Sequence, residues 1–341
     1  MKAAVVEKPG KLVIKDVPRT EIGEYGVLCK LLYGATCSGT DNHIINGSIP
    51  FPVEYPTILG HESIGKVVEV GGKVRNFKPG DLVTRVGVPP LSEPDYASNW
   101  GGFAEYGLAR DHWAMSKAGI SRQKWDSYRV NQLIPSGIEP AEATMIITWR
   151  ETLSYLTRMD VGRGNSLLVI GSGANGLSFA AHAINRQARR VDMIGNINRK
   201  ETAREIGITE YYDYKKESIY EIVKENFAEG YDYIIDAVGK KGLLNRALPL
   251  LKDNGTVGIY GIDDMNDNYF DPYHSQGTFT YYNNHYDEEE THHQVITYIK
   301  RGQLKPELWL DLANIYTLED INKAMAAVRN RESIKAVVKL S

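Results

Sequence analysis

Only two cysteines, Cys29 and Cys37, occur in the 341 residues. That scarcity excludes a disulfide framework and any zinc site built from cysteine alone. Basic excess is missing too: 40 Lys and Arg stand against 43 Asp and Glu, a net charge of −3. A surface that binds nucleic acid by displacing counterions needs the opposite balance, so no nucleic-acid partner is expected. No apolar run approaches the ~20 residues that cross a bilayer. The run at Ala3–Val6 is too short for a secretory signal. A cytoplasmic protein without a membrane partner is the expectation. The chain also exceeds the roughly 250–300 residues at which single cores stop growing, which predicts two domains.

What the sequence does hold is a run from Ser166 to Gly176, Ser-Leu-Leu-Val-Ile-Gly-Ser-Gly-Ala-Asn-Gly. Its apolar start reads as a short buried parallel strand. Gly171, Gly173 and Gly176 follow as G-x-G-x-x-G, and Leu177–Ala188 reads as a helix without internal Gly or Pro. Strand, glycine turn and helix in this order form a dinucleotide-binding unit. Gly171 permits the turn, Gly173 admits the pyrophosphate, and Gly176 lets the helix approach the strand. The helix start at Ala174, Asn175 and Gly176 offers N–H groups to phosphate oxygens.

The chain before this unit is rich in short strands: Lys2–Val6, Lys11–Lys15, Gly26–Tyr33, Ser63–Gly71 and the segment after the Lys78-Pro79-Gly80-Asp81 turn. They predict an antiparallel, barrel-like β domain. Residues 34–43 read as a small-residue loop, 87–99 as an exposed loop, 101–106 as a strand and 141–159 as mostly helix. Beyond the glycines, strands at Val191–Ile194, Tyr231–Val238 and Thr256–Ile262 alternate with helices at Arg199–Ile206, Leu243–Leu251 (stopped near Gly255) and Thr291–Arg301. That alternation predicts a doubly wound parallel sheet, with Val238 delivered to the cofactor. A final helix and strand are expected to rejoin the first domain.

NAD sites place Asp or Glu roughly 20 residues past the glycines, to bond the ribose 2′-hydroxyl. Gly195 holds that place here, followed by Asn196, Asn198, Arg199 and Lys200. Two amides and two cations suit a 2′-phosphate, so NADP is expected ahead of NAD. The bland alternative is a helix start with ordinary surface cations.

Cys37, His61 and Glu62 carry the metal chemistry of the first domain. A thiolate, an imidazole and a carboxylate on one ion make a catalytic zinc shell with an open position. The bland reading is a buried cysteine near a His-Glu pair on a turn; the three together, with Thr40, Asp41 and His43 close by, favour the metal.

These segments, with Gly60-His61-Glu62, Gly102-Phe103-Ala104-Glu105-Tyr106 and the Ile334–Leu340 tail, resemble the zinc-dependent medium-chain dehydrogenase/reductase family of alcohol, polyol and sugar dehydrogenases. The resemblance implies an α/β fold: a GroES-like β-rich domain of residues 1–150 and 305–341, and a Rossmann domain of residues 151–304. It makes Cys37 and His61 metal ligands and Glu62 a ligand or exchangeable neighbour. Thr40 becomes the hydroxyl that bonds the substrate oxygen, and His43 the end of a proton relay. Three departures stand out. The family's Cys-Gly-Thr-Asp has one residue more here, Cys37-Ser38-Gly39-Thr40-Asp41, so strict spacing points to Ser38. The family's further ligand falls near Ile147 or Thr148, with Glu151 a helical turn away. The four-cysteine lobe is missing, so one catalytic zinc and no structural zinc are expected.

The leading expectation is an NADP-preferring zinc enzyme that interconverts a secondary alcohol of a polyol or sugar and the matching ketone or lactone, as a homodimer or homotetramer. Asn42, His43, Trp100, Arg150 and Glu151 are the polar candidates around the substrate. A zinc-free NADPH-dependent quinone or double-bond reductase and a non-catalytic nucleotide-binding protein are the alternatives.

Overall fold

The structure is a computed structural model and describes residues 1–92, 95–267, 269–275 and 277–341. Two compact units emerge: Met1–Ile147 with Lys305–Ser341, and Thr148–Leu304. Among the described residues no helix is long and apolar enough to cross a membrane.

The first unit opens with β1 (Lys2–Lys8) and β2 (Lys11–Asp16), paired antiparallel with Val5 opposite Val13. Ala3 to Val6 are all fully buried, so β1 is covered on both faces. Next come β3 (Gly26–Ala35), α1 (Thr40–Asn46), β4 (Thr57–Ile58), β5 (Glu62–Val70) and β6 (Leu82–Thr84). The expected loop at 34–43 is thus partly helical. Gly47 closes α1 in a left-handed conformation, while Ile44 and Ile45 anchor it to the core. The expected loop at 87–99 carries two short strands, β7 (Leu91–Ser92) and β8 (Asp95–Ser98); Glu93 and Pro94 lie outside the described residues. The strand expected over 101–106 starts only at Tyr106, as β9 (Tyr106–Arg110). The residues before it still bridge to β1: Ala104 stands opposite Ala3, the Ala4 N–H donates to Phe103 O at 2.8 Å and the Glu105 N–H to Lys2 O at 3.0 Å. α2 (His112–Lys117) and β10 (Leu133–Ile134) complete this stretch.

The second unit holds most of α3 (Met145–Arg158) and then alternates strand and helix: β11 (Ser166–Ile170), α4 (Ala174–Asn185), β12 (Arg190–Gly195), α5 (Lys200–Ile206), β13 (Glu210–Asp213), α6 (Ile219–Asn226), β14 (Tyr231–Asp236), α7 (Leu243–Ala247), β15 (Leu251–Ile259), β16 (Phe279–Tyr282) and α8 (Glu288–Lys300). Its six strands run parallel in the order β13-β12-β11-β14-β15-β16. The direction of winding reverses between β11 and β14, the place where this fold binds its ligand. The helix expected over Leu243–Leu251 ends earlier, at Ala247. Pro249 lacks the N–H that an α-helix needs, the chain tightens to a 3-10 turn at Leu248–Leu250, and β15 begins at Leu251.

The chain then returns to the first unit through β17 (Leu310–Thr317), α9 (Ile321–Arg329) and β18 (Lys335–Lys339). There β18 pairs antiparallel with β3, placing Val337 opposite Ala35. Met325, Val328 and Ala336 share one apolar core with Val5, Leu31, Ile58 and Phe103.

At the winding reversal, Asp236 ends β14 fully buried. Its Oδ1 accepts the N–H of Val238 at 2.8 Å and of Gly239 at 2.9 Å, while Oδ2 has no hydrogen-bond partner among the described residues. Burial pushes this carboxyl above its ordinary range despite the two N–H donors. An acid with a raised folded pKa binds its proton more tightly when folded. Stability is therefore lost as pH rises from about 3.9 through the raised value. Asp236→Asn keeps the Oδ1 acceptor without the charge. Urea unfolding should show the variant more stable than the parent at about pH 7, by on the order of 1–3 kcal/mol, with the gap closing toward about pH 4. A gap that widens on acidification contradicts this account.

Candidate functional site

The antiparallel register of β3 and β5 sets Ala35 opposite Glu62, so the loop leaving β3 runs beside His61 and Glu62. Thr36 is fixed by the returning strand. Its N–H donates to Ala336 O, and its hydroxyl accepts the N–H of Ala336, both at 3.0 Å. Cys37 follows, half-buried, with its N–H donating to Asp41 Oδ2 at 2.8 Å. Asp41, fully buried in the first turn of α1, turns its other oxygen toward His61 Nδ1 at 3.2 Å. The alignment of that contact is too bent for a full hydrogen bond, but its charge holds the imidazole with Nε2 facing away.

Nε2 of His61 lies 3.9 Å from Glu62 Oε1, and ligand atoms of Cys37, His61 and Glu62 all fall within 4.8 Å of one another. Zinc bonds of about 2.0–2.3 Å separate ligand atoms in a tetrahedral shell by about 3.5 Å, so a small contraction closes this trio on one ion. Sulfur, nitrogen and oxygen donors, with a carboxylate behind the imidazole, fit that metal. Burial disfavours a charged His61, yet Asp41 and Cys37 outweigh it and hold the imidazole well above its usual pKa. Metal uptake there displaces a proton.

Lys335, on β18, is the residue that sequence reading missed. It is 1% exposed, its Nζ contacts Glu62 Oε2, and it donates to Thr36 O at 3.2 Å. Burial lowers its pKa, but Glu62 with Cys37 overrides that and keeps the ammonium charged. The signal was legible: a lysine inside a run of buried strand residues requires a buried anion. Glu62 is thus held by a cation on one oxygen and faces His61 with the other.

Thr40 opens α1. The other expected polar groups are already engaged. Asn42 donates to Ser38 O at 2.8 Å, and His43 Nδ1 pairs with Ser48 Oγ at 2.8 Å. Ser38 itself is exposed. Trp100, 42% exposed, sets its ring 5.2 Å from that of His61, with the Arg85 guanidinium 5.6 Å from the indole. Arg150 does not line a substrate site: it is fully buried and binds Glu288 Oε2 at 2.6 Å, joining α3 to α8. Glu151 accepts a hydrogen bond from Tyr260 Oη at 3.0 Å within the second unit.

In that unit Gly171 leaves β11 at φ +108°, a conformation that only glycine adopts freely. A Cβ on Gly176 would collide with Gly171 O, whereas one on Gly173 meets no atom within 4 Å. The turn is packed on its sheet side and open at Gly173, as a phosphate cradle requires. α4 begins at Ala174, so Ala174, Asn175 and Gly176 form its first turn, at the positive end of the helix dipole. Val238 lies across from Gly171, where an added Cβ would come within 2.8 Å of its Cγ2. Past β12, Asn196 is committed to its own loop. Its N–H donates to Ser172 Oγ at 2.9 Å, its carbonyl accepts from Tyr211 Oη, and its side chain accepts the Asn198 N–H at 3.1 Å. Arg199 and Lys200 follow at the start of α5 and remain the cations of this loop.

Known proteins share the two-part organisation of the chain. Residues 23–119 match the alcohol dehydrogenase GroES-like domain, and residues 176–286 match the zinc-binding dehydrogenase family. D-arabinitol dehydrogenase 1 of Uromyces fabae is 25% identical over 371 residues, covering 99% of this chain and 97% of that protein. The NADP-dependent isopropanol dehydrogenase of Clostridium beijerinckii is 29% identical over 250 residues, 70% of each chain. In fold, an alcohol dehydrogenase from Thermus sp. ATN1 matches with a TM-score of 0.80 at 22% identity, over 99% of both chains. With a GroES-like unit, a parallel Rossmann sheet and relatives that oxidise alcohols and polyols, the chain is an oxidoreductase of the zinc-type medium-chain dehydrogenase family.

Proposed function

We propose that the protein is an NADP-preferring, zinc-dependent dehydrogenase that interconverts a secondary alcohol of a polyol or sugar and the matching ketone or lactone. The observation that carries this reading is the trio Cys37, His61 and Glu62, backed by Asp41. The polyol class is favoured by the D-arabinitol relative, and NADP by the isopropanol relative and by the absence of an acid at Gly195.

Cys37, His61 and one oxygen of Glu62 would hold the zinc. When bound, the ion supplies Lewis acidity that lowers the pKa of an alcohol and so eases hydride departure to the nicotinamide. Asp41 orients His61 and keeps its Nε2 available. Lys335 neutralises much of the Glu62 charge, which leaves the carboxylate exchangeable. Thr40 would bond the substrate oxygen, and His43, paired with Ser48, would end the relay that carries the alcohol proton to solvent. The glycine turn and the first turn of α4 orient the pyrophosphate. Arg199 and Lys200 draw the 2′-phosphate.

Cys37→Ser should lower zinc stoichiometry and abolish alcohol oxidation while leaving NADPH titration unchanged, because a serine hydroxyl does not supply a thiolate. Ser38→Ala should be mild; the reverse pattern moves the ligand to Ser38. A purified protein that is active, metal-free and insensitive to chelators points instead to the zinc-free reductase.

Arg199→Ala should weaken NADPH binding about ten- to a hundredfold, the worth of a charge-assisted hydrogen bond, and spare NADH. Equal losses for both cofactors remove Arg199 from the phosphate site.

Lys335→Met should destabilise the metal-depleted protein by about 3–5 kcal/mol, since it strands a buried carboxylate. Zinc should then raise the melting temperature of this variant more than that of the parent. An equal zinc increment in both proteins means that Lys335 does not restrain Glu62.

A further inference from the structure

We propose that Tyr211 and Ser172 determine the dinucleotide preference by filling the socket in which NAD sites of this fold keep their carboxylate. The inference rests on the NADP reading above and concerns two residues to which that reading gives no part.

Gly195, at the end of β12, has an ordinary backbone conformation, so strain does not require glycine there. Space does. A Cβ on Gly195 would overlap Tyr211 Oη and come within 2.5 Å of both Cβ and Oγ of Ser172. Neither neighbour yields easily. Ser172 is the middle residue of Gly171-Ser172-Gly173, is 7% exposed, and its Cβ moves only with the turn. Tyr211 stands on β13, and its neighbour across the ladder is Met193 of β12. Its phenol donates to Asn196 O, while Ser172 Oγ accepts the Asn196 N–H at 2.9 Å. Both main-chain groups of the residue after Gly195 are therefore clamped. Burial pushes the Tyr211 hydroxyl up to about 12, so it keeps the donated proton at neutral pH.

The chain has thus done more than omit an acid. Two uncharged side chains occupy the space in which an acid would reach the ribose, and they hold the backbone that leads to Arg199. An acid introduced at Gly195 has nowhere to stand until the socket is emptied.

The test is fluorescence titration of NADH and NADPH, with thermal melting to confirm that each variant is folded. Gly195→Asp alone should lose about tenfold or more in affinity for both cofactors. The triple variant Gly195→Asp, Ser172→Gly, Tyr211→Ala should regain NADH binding by about tenfold over the single variant and stay weak for NADPH. A single Gly195→Asp variant that gains NADH affinity overturns the proposal, because the socket then was never filled. So does a folded triple variant that binds NADH no better than the single one. A parent protein that binds NADH more tightly than NADPH defeats the NADP reading, and the comparison of single with triple variant still decides the socket.

Discussion

The pairing of β18 against β3 is the constraint on which the Cys37, His61 and Glu62 cluster depends. It carries Lys335 to Glu62 across 273 residues of sequence and locks Thr36 through reciprocal hydrogen bonds with Ala336. Without it the loop holding Cys37 has no fixed start, and Glu62 is a buried anion without its cation. A buried ion pair adds little net stability, but breaking one is costly. The pair therefore acts more on geometry than on folding free energy: it decides which carboxylate oxygen faces His61.

Asp41 plays the corresponding part on the other side of the trio. One oxygen takes the Cys37 N–H and the other stands against His61 Nδ1, so one buried carboxylate sets the positions of both donors. The additional residue between Cys37 and Asp41 is absorbed by the tight entry into α1, where Gly39 precedes Thr40 without a side-chain cap. With the one-residue departure from the family pattern, the Cys37 sulfur still lies within 4.8 Å of ligand atoms of His61 and Glu62, while Ser38 is exposed.

Central features were legible from sequence because they are strongly patterned. The glycine turn, the buried runs of β11 and β14 and the strand-rich first unit follow from periodicity and glycine placement. The edge strands β13 and β16 escaped notice. Glu-Tyr-Tyr-Asp and Phe-Thr-Tyr-Tyr are short and half-exposed, and lack the apolar run of an interior strand. α1 was read as loop because its start is composed of small polar residues; only Ile44 and Ile45, packed in the core, make it a helix. Arg150 looked like a substrate group because an arginine's partner is invisible until Glu288, far along the chain, is folded against it. The pressure of Tyr211 on Gly195 was hidden in the same way, whereas Lys335, set in a run of buried strand residues, signalled a buried anion without naming it. Pairings between distant residues have no local signature.

The division of the chain also sets an order of assembly. The Rossmann unit is one continuous stretch, Thr148–Leu304, whereas the unit with Cys37, His61 and Glu62 is split around it. During synthesis Cys37, His61 and Glu62 are made early, yet the strand that pairs beside them arrives only after the whole of the other unit. Domains tend to fold as units as they emerge, so the Rossmann sheet is free to close first. The first unit must wait with an unpaired stretch of β3 and an uncompensated carboxylate. Closure of the Cys37, His61 and Glu62 cluster is in this sense a late event, timed by the position of a lysine in the sequence.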